Sequence, residues 1–245
     1  MSNRPQTITN PFNLRGKSYL RIPVKTRILT PEDDILDIVR EYTKDIIQPG
    51  DIIVISESPL AITQGRAISV DDIKIGLLAS LLWRFVGKVR YGIGLRSPTS
   101  MQCAIDEVGH FRIILAAIVS FFGKLIGRKG DFYRIAGMQA ALIDAAHTSP
   151  VPPYNSCVIK GPIDPEGVAR RIREEYGYET AIMDINDIGG SWVIGCSDKV
   201  EKKILETIML DNPQGQGDEL TPICLVRQIK ETVNTAENSR ESQNL

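Results

Sequence analysis

Three short stretches hold residues that could bind a cation and a phosphate. Ala181-Ile182-Met183-Asp184-Ile185-Asn186-Asp187 is an apolar run ending in acids and an amide, followed at once by Gly189-Gly190. Leu142-Ile143-Asp144-Ala145-Ala146-His147 and Gly215-Gln216-Gly217-Asp218-Glu219 also place acids or an amide beside small residues. Magnesium takes hard oxygen ligands, often one or two carboxylates completed by phosphate and water. Glycines let an anion approach backbone N–H groups closely. Asp144, Asp184, Asp187, Gln216, Asp218 and Glu219 therefore form a candidate metal-and-phosphate set. Each stretch alone reads more simply as a strand or helix end followed by a polar turn. Their recurrence at three places in the chain raises the prospect of convergence on one site.

Other chemistry finds less support. The four cysteines are widely spaced, with no C-x-x-C pair, so a zinc or redox motif is not indicated. No Gly-x-Ser-x-Gly elbow is present. His147 follows Asp144 by three, which makes the two neighbours if the segment is helical; His110 sits among apolar residues and reads as packed. Gly92-Ile93-Gly94 lacks the third glycine and preceding strand of a dinucleotide fingerprint. The formal net charge of −1 provides no global field for nucleic acid, and Arg170, Arg171 and Arg173 read as a solvated helix face.

The elements that must position these residues are legible in most of the chain. Residues 1–18 read as a flexible arm and 19–29 as a strand. Thr30-Pro31-Glu32-Asp33-Asp34 reads as a helix start that Pro49-Gly50 ends. Asp51-Ile52-Ile53-Val54-Ile55-Ser56 reads as a strand buried on both faces, broken by Ser58-Pro59. Further on, strands are expected at 157–159, 179–183, 192–196 and 223–229. A helix capped by Asp164 with Pro165 at its first position runs to Tyr176 and stops at Gly177; another follows Asp198 to about Leu210. The region 71–137 is hardest to parse: a helix near 71–86, a turn at 91–94, a helix within 100–108 and an apolar element at 111–126. Its apolar runs are shorter than the roughly 20 residues of a membrane span, so buried or dimer-interface helices are expected, with a peripheral membrane or partner surface as the alternative. The polar residues 1–11 lack the apolar core of a signal peptide, and a cytoplasmic location is the expectation. The tail 234–245 reads as disordered.

Taken in order, several motifs resemble the coenzyme F-420-0:gamma-glutamyl ligase family. Gly50-Asp51-Ile52-Ile53-Val54-Ile55-Ser56 followed by Gln64-Gly65-Arg66 resembles its Gly-Asp strand and Glu-Gly-Arg. Ile143-Asp144-Ala145-Ala146 resembles its Ile-Asp-Ala-Ser. Gly161-Pro162-Ile163-Asp164-Pro165-Glu166 resembles its Pro-x-Asp-Pro-Asp helix start. Ile182-Met183-Asp184-Ile185-Asn186 and Gly215-Gln216-Gly217-Asp218-Glu219 with Pro222 resemble its Thr-Asp-Thr-Asn and Gly-Gln-x-Asp-x-x-x-Pro.

The resemblance implies an α+β fold, with mixed sheets and flanking helices, in one domain over 19–233 carrying a divergent apolar insert at about 70–135. It implies metal binding by Asp144, Asp184 and Gln216, with Mg²⁺ or Mn²⁺ beside GTP. Gln64, Gly65, Arg66, Asn186, Asp187, Gly215, Asp218 and Glu219 would line the nucleotide or substrate site. The implied reaction joins glutamate to a small-molecule carboxylate through an acyl phosphate, in a homodimer, with no nucleic acid or membrane contact expected. The chain departs from the family in having Ala61-Ile62 where the family has Ser-Lys, Gln64 for Glu, and no Arg in the segment after Asp187. A non-catalytic nucleotide-binding or scaffold protein of the same fold is the alternative.

Overall fold

The computed structural model describes residues 11–86, 94–187 and 189–229. In chain order the elements are β1 (Phe12–Leu14), β2 (Lys17–Val24), α1 (Ile35–Thr43), β3 (Ile52–Ser56), α2 (Glu57–Thr63) and β4 (Ala67–Ser69). Then come α3 (Leu77–Leu82), α4 (Pro98–Val108), α5 (His110–Leu125), α6 (Asp131–Ala136), α7 (Met138–Ala141) and β5 (Cys157–Ile159). The chain continues with α8 (Pro165–Tyr176), β6 (Glu179–Asn186), β7 (Gly190–Cys196), α9 (Lys202–Ile208) and β8 (Ile223–Ile229).

Period-two side-chain alternation builds the main sheet. Among the described residues it has the order β1-β2-β8-β3-β6-β7, with β3 and β6 parallel and the other pairs antiparallel. Ile53 and Ile55, Ile182, and Ile223 and Leu225 point to one face, where α1, α2 and α8 contribute Leu36, Leu60 and Ile172. Val54, Ala181 and Met183, and Cys224 and Val226 point to the other, under Leu205 and Ile208 of α9. Both faces are thus covered, as the β-branched run of β3 suggests. The fold is α+β with a mixed sheet and flanking helices.

A two-stranded antiparallel sheet, β4–β5, carries the second part of the chain. Helices α3 to α7 gather around Met101, Ile105, Ile113, Phe132 and Ala140, with Val158 of β5 in the same core. Helix α5 turns an apolar face outward, including Phe111 at 81% and Leu125 at 68% exposure. Among the described residues no single helix is long and apolar enough to cross a membrane; α4 and α5 together have the length, but bend by 117°.

Several sequence expectations shift. Residues 12–18, read as part of an arm, form a hairpin whose two loop residues, Arg15 (φ 51°) and Gly16 (φ 73°), are both left-handed, the geometry that matches strand twist. Helix α1 begins four residues after Thr30-Pro31, capped by Asp34, because Asp33 folds back to accept from the Thr30 N–H (2.8 Å). Only Leu77–Leu82 of 71–86 is α-helical, and α9 starts at Lys202 rather than at Asp198. The segment bearing Asp144 and His147 is not helical: Asp144 pairs with Ile159 of β5, and His147 has φ 70°. Residues 1–10, the tail 234–245 and most of the 91–94 turn lie outside the described residues.

Candidate functional site

Strands β3 and β6 run parallel from Ile52 opposite Glu179 to Ser56 opposite Met183, so their C-terminal ends open on the same side. In α/β sheets such ends are where ligands gather. Helix α2 starts at once after β3, with Glu57 as its first residue. On β6, Asp184 lies two residues beyond Ile182, on the α2 side of the sheet. Asp144 is delivered by the extended segment after α7, pinned to β5 by reciprocal backbone bonds with Ile159 of 2.8 and 3.1 Å.

Three carboxylates converge there. Burial pushes Asp144 above the usual carboxylate range, opposed by a hydrogen bond from the Ser58 hydroxyl (2.9 Å). Asp184 is pushed up to about 6, first by burial and then by the charge of Asp144. Glu57, only 7% exposed, is pushed well above its ordinary value by burial, then by Asp144 and Asp184. Among the described residues neither Glu57 nor Asp184 has a hydrogen-bond donor for its carboxylate, and no Lys or Arg contributes to the shift of any of the three.

A cavity of about 520 Å³ opens beside Asp144. Its walls are Ser56, Ser58 and Pro59 at the β3–α2 junction, Ile185 and Asn186 at the end of β6, parts of the 148–154 turn, and the loop leading to β8. Asp144, Asn186, Gly215, Gln216 and Glu219 line it. Among its described lining residues Arg27 is the one cation, and Asp33 grips it through both guanidinium ends.

The loop before β8 is tied to β6 by side chains. The Gln216 Oε1 accepts from the Asp187 N–H (3.0 Å), and the Asn212 amide donates to Asp187 Oδ1 (2.6 Å). Asn186 accepts from the Gly190 N–H (2.9 Å), closing the β6–β7 turn. Gly215 (φ 76°) holds the left-handed conformation, and a Cβ there would push aside the Glu219 carboxylate, whose carbon lies 2.7 Å away. Glu219 itself accepts from the Gly217 N–H (2.7 Å). Asp218 is exposed and off the cavity wall.

Gln64, Gly65 and Arg66 stand at the opposite end of α2 from Glu57 and do not line the cavity. Gln64 donates to the Ile163 carbonyl (2.9 Å) and accepts from its N–H (2.7 Å). Arg66 donates to the Gly161 carbonyl and forms a half-buried pair with Glu107 (2.6 Å), which Lys160 also approaches at 3.2 Å. Gly65 (φ 68°) supplies the left-handed turn between them. In this arrangement the three dock α2 onto the start of α8.

The sequence model of the F420-0:Gamma-glutamyl ligase family matches residues 23–197. This chain belongs to that family. No curated protein matches it significantly. The matched span holds Asp144, Asp184 and Asp187 and ends before the Gly215–Glu219 segment, which the Asp187–Gln216 bond brings to the same site.

The donor atoms of Asp144, Asp184 and Gln216 are oxygens, the type a hard divalent ion takes, and the two acids are half-buried. Among the described residues no three Asp, Glu, His or Cys side chains are grouped tightly enough to hold one metal ion between them. Such an ion would need phosphate, water or the Gln216 amide to complete its shell. Sequence reading overlooked Glu57 because Ser58-Pro59 looked only like the end of a strand. The available signal was an acid placed directly after a buried strand.

Proposed function

We propose that the chain is a GTP-dependent acid–amino-acid ligase that joins glutamate to a small-molecule carboxylate as an amide. The observation that carries this reading is the placing of half-buried Asp144 on the cavity wall and half-buried Asp184 at the end of β6, where parallel β3 and β6 open, in a chain of this ligase family. In the proposed reaction a substrate carboxylate oxygen takes the γ-phosphoryl group of GTP, and GDP leaves. The glutamate amine, after losing a proton, attacks the acyl carbon; the C–O bond to phosphate breaks and inorganic phosphate departs. Mg²⁺ or Mn²⁺ held by Asp144, Asp184 and Gln216 would screen the triphosphate from the attacking carboxylate.

The chain's own residues have separate tasks. Ser58 orients Asp144 through its hydroxyl. Asp187 and Asn212 hold the glycine-bearing loop against β6, and Gly215 keeps that wall thin. The exposed apolar face of α5 is assigned to a homodimer interface, as its Phe121 (59%) and Phe122 (60%) exposure would favour burial. Sedimentation showing a clean monomer at micromolar concentration would remove that assignment.

Calorimetry with GTP and Mn²⁺, on wild type and Asp184→Asn, tests the main reading. Binding should require the metal and weaken strongly in the variant, since Asn keeps an oxygen but loses the charge. Equal, metal-independent binding by both proteins would end the ligase reading. A second reading, a nucleotide-binding protein without turnover, is favoured by the engagement of Arg27 and Arg66 with acids of the chain itself. Metal-dependent GTP binding without GDP formation, in the presence of glutamate and carboxylate acceptors, would select it.

A further inference from the structure

The charge of the chain is segregated. Residues 73–130 hold nine Lys and Arg against two acids, Asp106 and Glu107, a net charge of +7, so the rest of the chain carries −8. Glu107 is already engaged by Arg66 and Lys160. Asp131, just after the basic stretch, is buried and accepts from both Arg128 and Arg134 (3.1 Å each). At one end of this region, apolar side chains stand in solvent among the cations. Leu77 and Leu81, four apart on α3, are exposed, Leu77 by 92%, and Phe85 just beyond the helix is exposed too. Their neighbours Leu78 and Leu82 pack inward on the core, so the outward residues form a second, uncovered apolar face. Lys124 Nζ donates to the Phe85 carbonyl (2.7 Å), which ties this face to the last turn of α5, where Leu125 and Ile126 are exposed as well. Arg84 and Lys124 flank these residues, and Arg128 and Lys129 follow in the exposed turn after α5.

We propose that this tip, formed by α3 and the C-terminal end of α5, docks on an anionic lipid surface. Large apolar side chains beside Lys and Arg suit the boundary between acyl chains and charged headgroups. The Leu, Phe and Ile side chains enter the hydrocarbon, and the cations meet the lipid phosphates. Other occupants fit less well. A two-fold contact would set the tip against its own copy, cations against cations. The tip is therefore read apart from the Phe121–Phe122 stretch given above to a second copy. Nucleic acid would engage the cations but offers nothing for Leu77, Leu81 and Phe85 to enter. Hydrocarbon needs no matched groove, so an exposed helix face suffices. The division of charge also orients the chain: the +7 part meets the headgroups, while the −8 remainder, with the candidate site, is turned to water. The expectation of no membrane contact came from motifs outside residues 70–135, and the tip lies wholly within them.

The test is flotation of the full chain with two kinds of vesicle, phosphatidylcholine alone and phosphatidylcholine with phosphatidylglycerol at about two to one, in low salt and in about 0.5 M salt. Wild type should float with the anionic vesicles, stay down with the neutral ones, and be released by salt. Arg84→Glu with Lys129→Glu, and separately Phe85→Ser with Leu125→Ser, should each weaken binding by about tenfold or more. All four side chains are exposed, and circular dichroism checks that both variants keep the fold. Should one fail to fold, the wild-type lipid and salt series decides alone. Phe111→Ser, about 20 Å away along α5, should bind as wild type does. Wild type left unbound by anionic vesicles in low salt would overturn the proposal. Binding that ignores both salt and the charge reversals would do so too, since apolar adhesion alone predicts that. Equal loss in Phe111→Ser would overturn it as well, because the contact would not belong to the tip. Vesicles ignored by wild type, with a dimer lost in Phe85→Ser with Leu125→Ser on sedimentation, would give the tip to a second copy instead.

Discussion

Replacing Asp184 by Asn should make the metal-free protein more stable, and the gain should depend on pH. Burial, and then the charge of Asp144, raises the Asp184 pKa from the ordinary 3.8 to about 6. The folded chain thus holds the Asp184 proton more tightly than the unfolded chain. Stability from that proton is fully present below the unfolded value of 3.8 and is lost as pH rises through about 6. At about pH 8 the ionised side chain costs about 3 kcal/mol, and at about pH 4.5 about 1 kcal/mol. Asn carries neither cost. For a chain of this size the unfolding midpoint at about pH 8 should rise by about 6–12 °C, and by roughly a third as much at about pH 4.5. Differential scanning calorimetry in chelator at both pH values measures it. Mn²⁺ should then stabilise wild type at about pH 8 and leave the variant nearly unmoved. A variant less stable than wild type at the higher pH would refute the argument, because Asp184 would then be sustaining the fold through bonds of its own.

Further predictions concern the frame around the site. Asp51→Asn should lower stability by about 3–5 kcal/mol in urea unfolding, because it strips the charge from a fully buried acid that Arg227 grips at 2.7 and 2.8 Å. Gly195→Ala should cost about 3 kcal/mol or more, since its Cβ would lie 2.4 Å from backbone atoms of Pro165 and Glu166; a neutral result would mean that α8 slides freely over β7. Asp187→Asn should weaken GTP binding less than Asp184→Asn in calorimetry, because its contacts bind the loop to β6 rather than line the cavity.

The sequence was most readable where local chemistry and long-range packing agree. Asp164, Pro165 and Gly177 delimit α8 as cap, first-turn proline and left-handed stop, and each is a local choice. The alternating residues of β8 and the apolar run of β3 meet the two sheet faces as their periods require. The region of α3 to α6 was less readable because α5 is apolar nearly all round: Ile113 is buried while Phe111 and Ile118 are exposed, so no single stripe marks its inner face. At the site, Asp144, Asn186, Gly215 and Gln216 line one cavity, whereas Asp184, Asp187 and Asp218 lie off its wall. The anchoring of Gln64 to Ile163 and of Arg66 to Glu107 spans too much chain for a local motif to reveal. Glu57 escaped notice because its neighbours in sequence are apolar or small, and the acids it faces come from distant segments.

The Glu219 carboxylate against the Gly217 N–H gives the site an internal competitor. An anion seeking that amide must first displace a negative charge belonging to the chain, with Asp144 also on the cavity wall. On the proposed reading a bare phosphate would meet both charges unscreened, whereas one arriving as its metal complex would bring its own counter-ion. If the proposed nucleotide enters here, the charge of the wall would favour its cation-loaded form over the naked polyanion before shape is read at all.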